Sequence, residues 1–256
     1  NVGAVFDSLN VLEIPKFSIP VPPRPVQRAS AHVLGTLDDK IELNRRMNRT
    51  LEETARALFR SWFVDFDPVR AKAAGHEPEG MDAATAALFP STIEGTEFGE
   101  VPAAWSVGPL HGLVSLERQP LNPAAYSDEA FDHYSIPAYD DGQVPIAEPG
   151  GAIRSTKFIV PDGAILLSKL NPRFPRVWLP RTRATRRAIC STEFLVVMPL
   201  RSADRVFLYG LFTSHQFTSR FASMVTGTSG SHQRVNPTHL LAMEILRPPS
   251  ALIDRF

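Results

Sequence analysis

Cysteine is almost absent from this 256-residue chain. Cys190 stands alone, which excludes an internal disulfide and a cysteine-built zinc site. No stretch approaches the 18 or so consecutive apolar residues of a bilayer-spanning helix, so no membrane contact is expected. A chain-wide excess of one charge is also missing, because 27 Lys and Arg meet 27 Asp and Glu. The chain therefore lacks the overall basicity common among nucleic-acid binders. No leader segment is expected from the opening residues, and Asn1 stands where a Met would open a complete chain. A protein of a reducing, cytoplasmic compartment, representing part of something longer, is the expectation.

Where net charge is zero, its distribution carries the information. Residues 110–150 hold Arg118 against Glu117, Asp128, Glu129, Asp132, Asp140, Asp141 and Glu148. The next forty residues reverse that balance: Arg154, Lys157, Lys169, Arg173, Arg176, Arg181, Arg183, Arg186 and Arg187 face only Asp162. A local cationic surface of this kind suits a phosphate backbone. It also suits a basic face that the neighbouring acidic stretch neutralises, and the charge pattern leaves both readings open.

The 23 prolines punctuate the chain, so their gaps are informative. None falls between Pro25 and Pro68, and two interleaved seven-residue series run through that gap: Leu37, Asn44, Leu51, Leu58 and Ile41, Asn48, Ala55, Trp62. Such a seam predicts one long helix over 25–68, about 60 Å of rod, with charged residues on its other faces. A single amphipathic helix of this length cannot bury its own seam and needs a partner helix. Leu37, Ile41, Asn44, Asn48, Leu51, Leu58 and Trp62 are the expected pairing residues, the two asparagines fixing register. Trp62, Phe63 and Phe66 form an aromatic knot expected to plug the rod onto a domain, and Pro68 is expected to stop the helix.

Residues 69–100 read as a linker with one short helix near Asp82 to Leu88. Short strands are expected at Phe158 to Val160, Ala164 to Ser168, Val177 to Leu179 and Phe194 to Met198. A second long proline gap predicts a helix from about Asp204 to Val225, with Val206, Tyr209, Phe212, Phe217, Phe221 and Met224 inward and Gly227 as its cap. The expected architecture is α+β: a long coiled-coil-type helix joined to a mixed α/β domain over 101–249 with a mainly antiparallel sheet.

The two ends of the chain repeat one another. Leu9, Asn10, Ile14, Phe17, Ile19, Pro22, Pro23 and Val26 match Val235, Asn236, Leu240, Met243, Ile245, Pro248, Pro249 and Leu252 without gaps, at the 226-residue offset that separates Asn10 from Asn236. The implied parent is periodic, each period comprising a rod helix, a linker and a domain. Residues 1–24 are then the terminal strand or tail of a preceding domain, and 250–256 begin the next rod.

The run Leu37-Asp38-Asp39-Lys40-Ile41-Glu42-Leu43-Asn44-Arg45-Arg46-Met47-Asn48, with Leu51-Glu52 and the stretch from Ala57 to Val69, resembles the central helix of type I restriction-modification specificity subunits. Val101-Pro102 with Trp105 resembles the opening of a target recognition domain, and Gly227 to Pro249 its close. The resemblance implies a non-catalytic subunit. It would read half of a bipartite site in double-stranded DNA and position methyltransferase (modification) and restriction/translocase subunits. S-adenosylmethionine, ATP and Mg would belong to those partners. A complete subunit of that family carries two recognition domains and two pairing helices. Here a second copy of the chain, or the missing half, would have to supply the others.

The resemblance assigns the basic stretch to DNA. Lys169, Asn171 and Arg173 follow a strand and offer amide and guanidinium groups to base edges. The arginines beyond the turn, Arg176, Arg181 and Arg186 among them, suit phosphates, and Arg154 and Lys157 are also expected to bind DNA. Ser231, His232 and Arg234 lie on a glycine-rich loop also suited to groove or phosphate contact. Asn171-Pro172-Arg173-Phe174 faintly echoes a methyltransferase Asn-Pro-Pro-aromatic motif, but no glycine-rich nucleotide loop precedes it. Pro161-Asp162 with Lys169 lacks the second carboxylate of a metal-dependent nuclease. A coiled-coil interaction scaffold without DNA readout is the alternative, favoured if the cations are consumed by internal ion pairs.

Overall fold

The computed structural model describes residues 11–97, 99–226 and 233–256. The chain divides into two compact units, the first ending at Glu52 and the second comprising Glu53–Phe256. In the first, Val11–Lys16 forms a 3-10 helix. No strand occurs between residues 11 and 24, within the 1–24 span expected as a terminal strand or tail, of which residues 1–10 lie outside the described residues. A strand needs a neighbour's backbone, and Pro15, Pro20, Pro22 and Pro23 remove four of the donors a ladder would use.

Helix α1 (Arg24–Phe63) is the rod predicted by the seam, with Pro25 in its first turn. It ends five residues before Pro68. The chain turns at Phe66, whose φ of 57° is left-handed, and Pro68 lies in the first turn of α2 (Asp67–Ala73). Proline thus begins a helix here instead of stopping one, because its missing N–H falls where the helix has no acceptor for it.

The residues read as a linker are more structured than expected. After α2 come α3 (Ala83–Ala87), capped by Asp82 accepting from the Thr85 amide at 2.8 Å, and an antiparallel hairpin of β1 (Ile93–Thr96) and β2 (Gly99–Pro102). The domain follows as β3 (Ser106–Pro109), β4 (Val114–Glu117), β5 (Pro120–Leu121), β6 (Ala130–Tyr134), α4 (Ile136–Asp140), β7 (Ile146–Pro149), β8 (Lys157–Ile159), β9 (Ile165–Ser168), β10 (Val177–Trp178), β11 (Ala188–Cys190) and β12 (Phe194–Pro199). Helices α5 (Asp204–Thr213) and α6 (His215–Ser223), strands β13 (Val225–Thr226) and β14 (Arg234–Val235), helix α7 (Pro237–Ala242), strand β15 (Glu244–Arg247) and helix α8 (Ser250–Ile253) complete it.

Two sheets carry the domain: one in the order β10-β9-β12-β4, the other β5-β8-β11-β6-β7. Pairing is antiparallel throughout except for β11 with β6. The strands at the centre of the first sheet are apolar on both faces. Ile165, Leu167, Leu195 and Val197 join one core with Phe59, Phe63 and Phe207, while Leu166, Phe194 and Val196 join a second core with Tyr134, Ala188 and Cys190 of the other sheet. Continuous apolar runs such as Ile165-Leu166-Leu167 follow from having a layer on each side.

Trp62, Phe63 and Phe66 dock α1 into the first core, Trp62 meeting Phe89 at 5.2 Å and Phe256 at 5.8 Å between ring centroids. Gly210 of α5 lets the Phe59 ring approach so closely that a Cβ would stand 2.3 Å from it.

The single helix expected from Asp204 to Val225 is two. Ser214 has extended backbone and turns its hydroxyl to the Phe217 amide, ending α5 and capping α6. Val206, expected inward, is 54% exposed. It lies off the stripe that Phe207, Leu208 and Phe212 direct into the core. Met224 closes α6, and Gly227 lies outside the described residues.

The terminal repeat reappears in the backbone. The 3-10 helix Val11–Lys16 and α7, Pro237–Ala242, occupy matching positions at the 226-residue offset, as do the starts of α1 at Arg24 and α8 at Ser250.

Candidate nucleic-acid interface

The β9–β10 hairpin carries the turn singled out in the sequence, and the structure holds that turn firmly. The Ser168 amide donates to the Arg176 carbonyl at its base, at 3.0 Å. Lys169 donates its amide to the Glu193 carbonyl and accepts from the Val235 amide; the Asn171 amide donates to the Gln233 carbonyl at 2.9 Å. Asn171 is left-handed, with φ at 47°. Asparagine is among the few residues that tolerate this conformation, which lets the chain fold back so that the Phe174 amide reaches the Asn171 carbonyl. The Asn171 side-chain oxygen is buried and has no partner among the described residues. In this structure Asn171 shapes the turn, with its side-chain oxygen turned away from solvent.

The cations divide into two groups. Arg176 makes a bidentate pair with Asp140 at the end of α4, at 2.7 and 2.9 Å. Arg186 reaches the buried Asp132 at 3.1 Å. Arg187 lies over the Tyr126 ring at 4.2 Å and grips Glu129 through two hydrogen bonds, and Arg234 binds Glu193. Each of Glu129 and Asp140 is held below the usual carboxylate range by its arginine's hydrogen bonds. Lys157 is buried, its ammonium on the Ser155 hydroxyl at 2.5 Å, and burial lowers its pKa. Lys157, Arg176, Arg186 and Arg234, expected to bind DNA, are thus turned inward or paired with carboxylates. The acids responsible come mostly from residues 110–150, so the two oppositely charged stretches partly neutralise each other across the fold.

The second group faces outward. Arg154, Arg181 and Arg183 are exposed, and none of the three makes an ion pair with a described residue; Arg183 is a member of the basic stretch outside the expected contact set. Lys169 is half-buried at the hairpin tip, and the exposed Arg173 lies over the Phe174 ring at 5.2 Å. The loop between β10 and β11 overhangs a cleft of about 440 Å³ lined in part by Arg183, Arg186 and Arg187. Ser231 and His232 lie outside the described residues.

Sequence reasoning passed over Phe174 as a site residue. Its signal was available, an aromatic between two prolines in a polar, cationic turn.

Along α1, Leu37, Ile41, Leu51 and Leu58 are exposed with Asn44 and Asn48. Trp62 is not: it is buried in its own domain, which corrects its place among the pairing residues, since the last turn of α1 belongs to the aromatic core. Among the described residues no cluster of three His, Cys, Asp or Glu side chains could hold a metal. The Asp162 carboxylate is occupied by the Thr182 hydroxyl at 2.8 Å. Burial pushes the Cys190 thiol up to about 12, leaving it without nucleophilic character. No described helix is long and apolar enough to cross a membrane.

No family model matches the chain. It is 53% identical over 68 residues to the specificity subunit of the type I restriction enzyme HindI from Haemophilus influenzae, a match covering 27% of this chain and 14% of that protein. The chain is homologous to type I restriction-enzyme specificity subunits. A second such relative, the MjaIX specificity subunit of Methanocaldococcus jannaschii, is 29% identical over 157 residues, or 61% of this chain and 31% of its own length. The chain thus matches under a third of either relative. A chain in a solved structure of a type I restriction-modification system shares the fold, with a TM-score of 0.50 and 22% identity over 59% of this chain and 39% of that one.

Proposed function

We propose that the second unit is a target recognition domain, the DNA-reading part of a type I specificity subunit, and that it does no chemistry of its own. The observation that carries this reading is the division of the cations: arginines consumed by carboxylates fix the scaffold, while Arg154, Arg181 and Arg183 are exposed and form no ion pair with a described carboxylate, beside the hairpin that carries Lys169. Side chains that are not neutralised within the fold are the ones able to displace counterions from a phosphate backbone. The homology to specificity subunits supplies the kind of nucleic acid, double-stranded DNA. Had all nine cations of residues 151–190 been paired internally, a scaffold without DNA readout would fit better.

On this reading the exposed seam of α1 takes a second helix from another copy or from the missing half. Methyltransferase and restriction subunits dock on the assembled molecule and bring S-adenosylmethionine, ATP and Mg with them. The chain's own residues bind, orient and discriminate.

The test is selection from a random duplex pool, with and without the methyltransferase subunit, followed by affinity measurement in rising salt. One enriched half-site is expected, with log affinity falling linearly against log salt. Absence of any DNA retention at low salt in both arms would leave the scaffold reading in possession.

A further inference from the structure

Phe174 is 54% exposed at the tip of the β9–β10 hairpin. Every other phenylalanine described in the second unit is buried or half-buried. The ring is also held where it is. Pro172 and Pro175 flank its turn and fix two backbone torsions, its amide is tied to the Asn171 carbonyl at 2.9 Å, and the turn is fastened to Gln233 and Glu193 from outside the hairpin. Arg176 anchors the returning strand to Asp140. An apolar ring presented to water on a braced support, with Lys169 and Arg173 on the same turn, has the makings of a stacking surface beside a polyanion.

We propose that Phe174 is a wedge: its ring stacks into an opened base-pair step while Lys169 and Arg173 engage the phosphates on either side. This rests on the DNA-binding reading above and adds to it a residue and a mode of recognition. An inserted apolar side chain costs unstacking at one step and permits the duplex to bend around more protein. It also reads sequence without hydrogen bonds, because flexible pyrimidine–purine steps open more easily than others. Arg173 lies over one face of the Phe174 ring, 5.2 Å from its centroid, which places its charge beside the ring and leaves the other face to a base.

The prediction is preference for DNA whose stacking is already broken. Two short duplexes are compared, identical except that one carries a single abasic site at its centre. The wild-type chain is expected to bind the abasic duplex about tenfold more tightly, since that step's unstacking cost is already met. Phe174→Ala should bind both duplexes alike, and Phe174→Trp should keep the preference. Arg173→Ala should weaken both together. Because Phe174 is exposed, its variants should melt like the wild type. A tenfold preference that survives in Phe174→Ala, or equal binding of both duplexes by the wild type, overturns the wedge and leaves DNA binding intact. Unchanged duplex preference in Phe174→Ala with loss of methyltransferase-subunit binding overturns it in favour of a protein contact. Failure of the wild type to bind either duplex removes the DNA reading and the wedge with it.

Discussion

Arg176 holds Asp140 through two parallel hydrogen bonds, Nε to Oδ1 at 2.7 Å and Nη2 to Oδ2 at 2.9 Å, joining the returning strand of the hairpin to the end of α4. The pair neutralises a cation inside the stretch that looks most basic in the sequence. Its contribution is geometric.

Arg176→Lys keeps the charge and loses the fork, so it separates the two properties. With half of Asp140 exposed, the pair is worth only about 0.5 kcal/mol after solvent screening. The melting temperature should fall by roughly 1–2 °C. DNA affinity should fall by a similar factor at every salt concentration, as the hairpin loosens. A change in salt slope, measured by titration, would show that Arg176 meets phosphate directly.

The two groups of cations should separate in the same titration. Arg154→Ala and Arg181→Ala should each reduce the slope of log affinity against log salt by about 0.9, the counterion release of one phosphate contact. Arg187→Ala should leave it unchanged, because Glu129 already holds that charge. Arg186→Ala should act on folding instead, stranding the buried Asp132 at a cost of about 1–3 kcal/mol. Equal slopes for all four variants would contradict the division.

The seam residues should divide in a similar way. Leu51 is 64% exposed, so Leu51→Asp should leave the melting of the second unit untouched while abolishing helix pairing, seen by sedimentation as loss of the associated species. Trp62 is buried among Phe63, Phe89 and Phe256, and Trp62→Ala should destabilise its domain by about 3–5 kcal/mol. If Leu51→Asp associates as the wild type does, the exposed face has some other use.

Stability should decline in mild acid through His133. Burial lowers its pKa below the ordinary 6.5, and the Glu148 carboxylate at 2.8 Å from Nδ1 offsets this only in part, with the nearby Lys157 adding to the depression. The unfolded chain therefore takes up a proton that the folded chain refuses. Stability is full above about 6.5 and is lost as pH falls from there toward the folded-state value. Denaturant midpoints for the wild type and His133→Asn, compared between about pH 7.5 and 5.5, should show the larger acid loss in the wild type. Parallel curves would acquit His133.

Much of the architecture follows from local pattern. The seven-residue seam and the proline-free stretch specify α1 to within a few residues, because a helix of that length is dictated by periodicity. The apolar runs at Ile165 and Phe194 specify strands covered on both faces. The terminal repeat was also legible, since matched residues at a fixed offset fold into matched turns. Boundaries were less so: Pro68 and Ser214 each fit a helix start as well as a helix interruption, and only the neighbouring backbone chose between them.

The sequence by itself determined that this chain has a long helix with a seven-residue apolar seam and a domain with a concentrated basic stretch. Which of those cations face outward was decided by the tertiary structure alone. Arg176 meets Asp140, Arg186 meets Asp132 and Arg187 meets Glu129 across separations of 36, 54 and 58 residues. No local pattern encodes that pairing, because it depends on where the strands of one sheet and the end of α4 come together. The exposure of Phe174 divides between the two: its place between Pro172 and Pro175 in a cationic turn is legible in the sequence, and only a hairpin braced from outside leaves its ring in water.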